Sequence, residues 1–320
     1  MQETQVEPEF AITTGMADVK DNEAGLQAQQ QPEEISVKDK KFNTIRKMHF
    51  WAAIFFLIQT IAFAVVKANI KITPTVGFPM YCDRTLVDCA GSFDSQPSLK
   101  FLGTTNPIWL IPLFTALASF DHFVSYFFCL RYTELTKLWL FDIQSNPFRW
   151  IEYCISASVM ALAISILCGI SDVHLWFLIF FGHFVGIVLG LLIEIMPADE
   201  YDMNQLPVVG TKIQQTRGLS FLSIKKILFF LSSLSILVPW MVMICYFLVS
   251  VTNGDGVPSF VYAAFFVTLV LFATFAINCY LNKIVGKYDF ATSEIVYIWL
   301  SFTAKTFLAA DVFGGLRASA

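Results

Sequence analysis

The chain has 320 residues, of which 56% are apolar, 16% aromatic and 14% charged, with a mean hydropathy of +0.62 and a formal net charge of −4. Soluble chains carry about 25% charged residues, so this composition excludes a nucleic-acid binder, a disordered protein and a disulfide-rich secreted domain. It describes a chain whose solvent is lipid.

Residues 1–36 hold eight acids against the single base Lys20, a net −7. The segment is Gln-rich with almost no apolar clustering, which predicts a disordered acidic tail over 1–41. It lacks the basic and apolar regions of a signal peptide, so the first apolar helix is expected to act as the insertion signal. Residues 42–320 form the membrane domain. A membrane span needs about 20 apolar residues and closes its backbone hydrogen bonds internally as a helix. Seven such helices are expected, at 48–66, 107–130, 148–170, 174–196, 224–250, 258–281 and 290–313. The fold class is an all-α membrane bundle.

The first span is followed by a long exposed loop, 67–106, in which the β-branched and aromatic run Lys71–Tyr81 predicts a short hairpin. Cys82 and Cys89 in that loop are either a disulfide or two thiols, since sequence does not fix pairing. The second span carries Asp121 and His122, and the third carries Arg149, Glu152 and Tyr153. Asn106-Pro107 and Asn146-Pro147 place a cap residue and a first-turn Pro ahead of these two helices. Arg149 and Glu152 are neighbours on one helix face, so Arg149 is expected to hold Glu152 ionised.

On the fourth span His183 and Glu194 stand eleven residues apart and share a face. They read either as a proton relay or, as the stronger expectation, as a packed His and a Glu snorkelling at the span end. Gly182, Gly186 and Gly190 make a small-residue ladder that serves helix packing or a dimer seam. Fifteen of the 21 Lys and Arg fall on the amino-terminal side of the membrane and five on the other. The cytoplasmic excess of basic residues then places the N-terminus inside and the C-terminus outside.

The seventh span carries Lys305 midway along Trp299–Ala310. An amine in hydrocarbon is functional by default, and a desolvated Lys is suited to forming a Schiff base with a carbonyl compound. Ser301, one turn earlier, is neutral, so a counter-ion must come from another helix. Glu152 and Asp121 are near-equal candidates on the residues alone. No His or Cys spacing suits a metal; an intramembrane metal hydrolase is disfavoured, and no enzyme activity is expected.

Three motifs carry a family resemblance: Asn146-Pro-Phe-Arg-Trp150 with Glu152-Tyr153, Thr274-Phe-Ala-Ile-Asn278, and Tyr297-Ile-Trp-Leu-Ser301 with Ala304-Lys305. Over residues 42–313 the chain resembles the heliorhodopsins, seven-helix retinal proteins of inverted orientation. The resemblance implies a rhodopsin-like bundle with all-trans retinal on Lys305, Glu152 as counter-ion and Ser301 near the Schiff base. It further implies a homodimer through the fourth and fifth helices. Tyr153, Trp240, Phe272 and Phe275 are candidate pocket aromatics. His122 matches the family's second-helix His, whereas the first-helix His close before a Gln is missing: Gln59 follows Ile58, and His49 is expected near the membrane edge. These expectations describe a light sensor. The alternative is a light-activated proton transporter or channel, with Asp121, His122, His183 and Glu194 as relay candidates.

Overall fold

The computed structural model describes residues 15–65, 72–80, 96–131, 145–196, 224–253 and 257–318. The chain divides into two units, Met1–Ile45 and Arg46–Ala320. Helix α1 runs Gly15–Val65, so its backbone is helical where the composition suggests a disordered tail. The Ala, Gln, Glu and Lys residues of that stretch are strong helix formers, and this local preference does not require a core. Residues 1–14 of the expected tail lie outside the described residues.

The remaining helices are α2 (Leu110–Arg131), α3 (Pro147–Leu167), α4 (Val173–Ile195), α5 (Ile224–Asn253), α6 (Ser259–Cys279) and α7 (Phe290–Ala318). Among the described residues, seven helices are long and apolar enough to cross a membrane. The first such span begins at Lys40 rather than near 48, because helical backbone continues past the apolar run. Large apolar side chains such as Phe177, Phe181 and Trp299 lie exposed on the bundle surface, as a lipid-facing exterior requires.

Local chemistry sets several helix starts. The Asn106 side chain accepts from Ile108 N at 3.1 Å, opening a 3-10 turn, Pro107–Trp109, that leads into α2. Asn146 does the same for Arg149 N at 3.4 Å at the start of α3. Asp172 caps α4 through His174 N at 2.7 Å. These side chains satisfy amide donors that a helix start leaves open.

Strand β1 (Thr75–Met80) pairs antiparallel with β2 (Gln96–Phe101). The expected hairpin strand is present, and its partner lies fifteen residues further on. Thr75 N donates to Ser171 O at 2.9 Å, tying the strand to the α3–α4 turn. Cys82 and Cys89 lie outside the described residues.

The glycine ladder corrects one expectation. Gly182 faces Pro239 and Gly186 faces Ile236, both on α5, while Gly190 faces the Trp150 ring on α3. A Cβ added at Gly190 would stand 2.2 Å from Trp150 Cζ3, and one at Gly186 would stand 2.4 Å from Ile236 Cγ1. Ser232 Oγ donates to Gly186 O at 2.7 Å, and Ser235 Oγ donates to Gly182 O at 2.9 Å. The small residues therefore bring helices of one chain together, as close backbone approach in lipid demands. They are not free to form a seam with a second copy.

At the end of α6 the backbone widens into a π-turn, Tyr280–Ile284. Asn278 then ties α6 to α7: its Nδ2 donates to Ser293 Oγ at 3.1 Å, and its Oδ1 accepts from the Tyr288 hydroxyl.

Candidate functional site

Lys305 is 3% exposed. Its Nζ lies 2.6 Å from Glu152 Oε1, across from α7 to α3. A buried charge needs a partner of opposite sign, and Glu152 supplies it. Asp121, buried on α2, is within electrostatic reach of both, but the direct contact belongs to Glu152.

The Lys305 amine opens into a cavity of about 450 Å³. This lies within the range of about 300–1,000 Å³ for small-molecule sites. Tyr153, Trp240, Phe272, Phe275 and Ser301 all line it, as does Lys305 itself. The Tyr153 ring centre lies 5.1 Å from Nζ, and Phe275 meets that ring edge-on at 5.4 Å. Trp240 and Phe272 pack at 5.7 Å. One amine at an apolar, aromatic-walled cavity suits an elongated apolar molecule with a single reactive end.

A second cluster sits where α3 and α7 begin and α4 ends. His122 Nδ1 and His49 Nδ1 lie 2.8 Å apart, and His49 Nε2 is 3.9 Å from Glu294 Oε1. Glu294 pairs with Arg149 and accepts from Asn146 Nδ2 at 2.6 Å. Arg149 Nη2 donates to Glu194 Oε1 at 3.1 Å, and Lys283 Nζ lies 3.3 Å from Glu194 Oε2. The Arg149 guanidinium stacks 4.0 Å from the Tyr297 ring centre. Opposite charges are thus matched inside the bundle.

Three expectations change here. Glu194 does not snorkel: it is 2% exposed, because Arg149 and Lys283 offer it better partners than the membrane surface does. Arg149 pairs with Glu194 and Glu294, leaving Glu152 to Lys305. His49 is buried and faces His122 instead of standing at the membrane edge, since α1 continues well before it. His183 shares a face of α4 with Glu194 but lies in different surroundings, its Nδ1 donating to Ile179 O at 3.0 Å.

Sequence reasoning missed Glu294. It is wholly buried and stands eleven residues before Lys305, close to three turns. That is the same spacing that drew attention to His183 and Glu194.

The backbone is similar to the crystal structure of a light-driven proton pump from Leptosphaeria maculans, with a TM-score of 0.54 at 13% identity, covering 86% of this chain and 96% of that one. At this identity the likeness is one of fold. A bundle of that fold whose last helix presents a lysine to an apolar cavity defines the rhodopsin class. The family model described as Heliorhodopsin matches residues 45–316, and the chain belongs to the heliorhodopsin family. Among the curated proteins none matches the chain.

Membership implies retinal as the chromophore, and the residues fit it. Among the described residues, the cavity lining offers one primary amine, aromatic walls and no second charged side chain.

Proposed function

We propose that the chain is a light-sensing receptor, with all-trans retinal held at Lys305, Glu152 as its counter-ion, and conformational signalling as its output. The observation that carries this reading is the 2.6 Å contact of Lys305 Nζ with Glu152 Oε1 at the cavity wall. Retinal, when bound, supplies an aldehyde that condenses with a primary amine and a polyene that isomerises on absorbing light.

The chain's own residues do the rest. Glu152 keeps the nitrogen of Lys305 cationic by opposite charge. Tyr153 and Phe275 wall the cavity beside it, and Ser301, buried one turn from Lys305, offers a small hydroxyl. His122 and His49 hold a proton between their facing Nδ1 atoms. A proton gained by the pair puts positive charge on a ring whose Nε2, that of His49, lies 3.9 Å from Glu294 Oε1, and alters the charge balance of the Arg149 cluster. Such a local charge change biases a packed element with two arrangements. The basic-residue excess supports a cytoplasmic N-terminus and, with it, a cytoplasmic position for this cluster. A homodimer through α4 and α5 would use outward residues such as Phe181 and Val185, both exposed.

Proton transport is the second reading, favoured by the ionisable groups Glu294, Glu194 and Lys283. Against it, these groups gather on one side of Lys305. On the other side Ile108, Ile111, Phe114, Leu308, Ala309 and Val312 pack into one apolar cluster, with the partly buried Asp311 as the ionisable group described there. A transporter needs polar access on both sides.

Expression with retinal tests the first reading. A visible absorption band in the wild type and none in Lys305→Ala is the expected result; equal bands would overturn it. Voltage-clamped cells separate sensor from transporter, since a steady light-evoked current that disappears in Glu194→Gln would establish transport.

A further inference from the structure

The cavity and the charge cluster are separate sites, and Tyr297 belongs to both. It is buried on α7, eight residues before Lys305, which is about 12 Å along the helix axis. Tyr297 and Trp150 line the cavity, whereas Arg149, Glu194 and Glu294 are not among the described residues of its lining. Arg149 Cζ stands 4.0 Å from the Tyr297 ring centre and 5.7 Å from that of Trp150. Of these two walls, Tyr297 makes the closer contact with the cluster.

That contact has a definite geometry. A guanidinium carries its N–H donors in one plane and leaves its faces bare. Arg149 directs its in-plane donors to two carboxylates: Nη2 donates to Glu194 Oε1 at 3.1 Å, and Nη1 pairs with Glu294. The Tyr297 ring lies under Cζ, so it sets the tilt of the plane and hence how the cation is shared between Glu194 on α4 and Glu294 on α7. A cation held between anions on two helices has two arrangements, which is what an element that couples two sites requires.

Tyr297 also meets the residues around the amine. The Tyr153 hydroxyl donates to Tyr297 O at 3.3 Å, and the two rings pack edge-on at 6.5 Å. Tyr153 follows Glu152 in the chain and holds its ring centre 5.1 Å from Lys305 Nζ. Phe275 closes the group, 5.4 Å from the Tyr153 ring and 6.1 Å from that of Tyr297. A close-packed interior transmits displacement instead of absorbing it. A change in the Lys305–Glu152 pair therefore shifts Tyr153, and the bond from Tyr153 passes the shift to the ring under Arg149. This route needs no proton transfer, unlike the one through His49 to Glu294.

We propose that Tyr297 is a positioning residue that reports the state of the Lys305–Glu152 pair to Arg149, and so sets how Arg149 is divided between Glu194 and Glu294. The inference rests on the light-sensor reading and names the side chain through which its signal leaves the cavity.

The test is light-minus-dark infrared difference spectroscopy on the full chain, loaded with all-trans retinal in membranes. Bands that vanish in Glu194→Gln or Glu294→Gln identify the two carboxylates, and each amplitude is divided by that of the chromophore's own isomerisation bands. In the wild type both carboxylates should respond to light. Tyr297→Phe keeps the ring face and should keep the response. Tyr297→Leu removes the ring, and the normalised response should fall about fivefold or more, the lower end of a typical coupling between sites. Tyr297→Met repeats the comparison if the leucine variant forms no pigment. A residue that only filled space would lower pigment yield or thermal stability and leave the normalised response alone. The inference is overturned by a wild type whose Glu194 and Glu294 ignore light, by a response that survives loss of the ring, or by one lost as fully in Tyr297→Phe. A wild type that forms no visible pigment would overturn the retinal reading itself, and this inference with it.

Discussion

Lys305 and Glu152, 153 residues apart in sequence, meet at 2.6 Å inside the bundle. Each is buried, and each is the other's direct charge partner. Glu152→Gln leaves a cation without its anion. The visible band of the retinal-loaded protein should move to the red or give way to an ultraviolet-absorbing form at neutral pH. Absorption spectroscopy reads this directly, and an unchanged band would remove Glu152 from the counter-ion role.

Glu294 is the hub of the second cluster, meeting Arg149, Asn146 and His49. Removing one partner of a buried ion pair costs about 3–5 kcal/mol; Arg149 keeps Glu194, so Glu294→Gln should fall at or below the lower end of that range. The expected outcome is a clear drop in thermal midpoint with the visible band retained, measured by following the chromophore absorbance on heating. A band that shifts as far as in Glu152→Gln would instead place Glu294 beside the chromophore.

Gly190→Leu sets a side chain into the Trp150 ring. Overpacking of this kind costs about 1–3 kcal/mol, and here the backbone approach itself is blocked. The loss should be the same in nanodiscs holding one copy as in those holding two. A loss confined to the two-copy discs would restore the glycine ladder to a dimer seam.

Tyr288 lies between the α6 and α7 spans, donating to Asn278. Burial first, and then the charge of a Cys279 thiolate, raise its pKa above the ordinary 10. The folded state thus favours the neutral phenol. Its stabilising contribution is complete below about pH 10 and is lost as pH rises through the higher folded value. Thermal midpoints measured across alkaline pH should fall less steeply in Tyr288→Phe than in the wild type; parallel curves would contradict this.

Much of the bundle was legible because its signals are local. Apolar runs of membrane length, the two Asn-Pro caps and one lysine in mid-span need no tertiary knowledge. The same holds for Ser301, one turn from Lys305. What could not be read was destination. Glu152 and Asp121 were near-equal candidates, and which of them meets Lys305 depends on how α7 packs. Glu194 looked like a surface residue because its partners Arg149 and Lys283 come from α3 and the π-turn after α6. The glycines announced a close approach without naming the helix approached. β1 was visible as a strand, while its partner β2, rich in Pro, Ser and Lys, carries a weak strand signal.

Asn146 joins three jobs in one residue. Its Oδ1 caps Arg149 N, its Nδ2 reaches Glu294, and its own backbone N donates to Glu194 Oε1 at 3.2 Å. Aspartate in its place would keep the cap and set a second negative charge against Glu294; serine would keep the cap and fall short of Glu294. The winding of the first turn of α3 and the assembly of the charge cluster are thereby a single event. The rotational setting of that turn also fixes where Glu152 points, less than two turns further on. One small side chain thus acts as an alignment pin between a folding step and the optical centre.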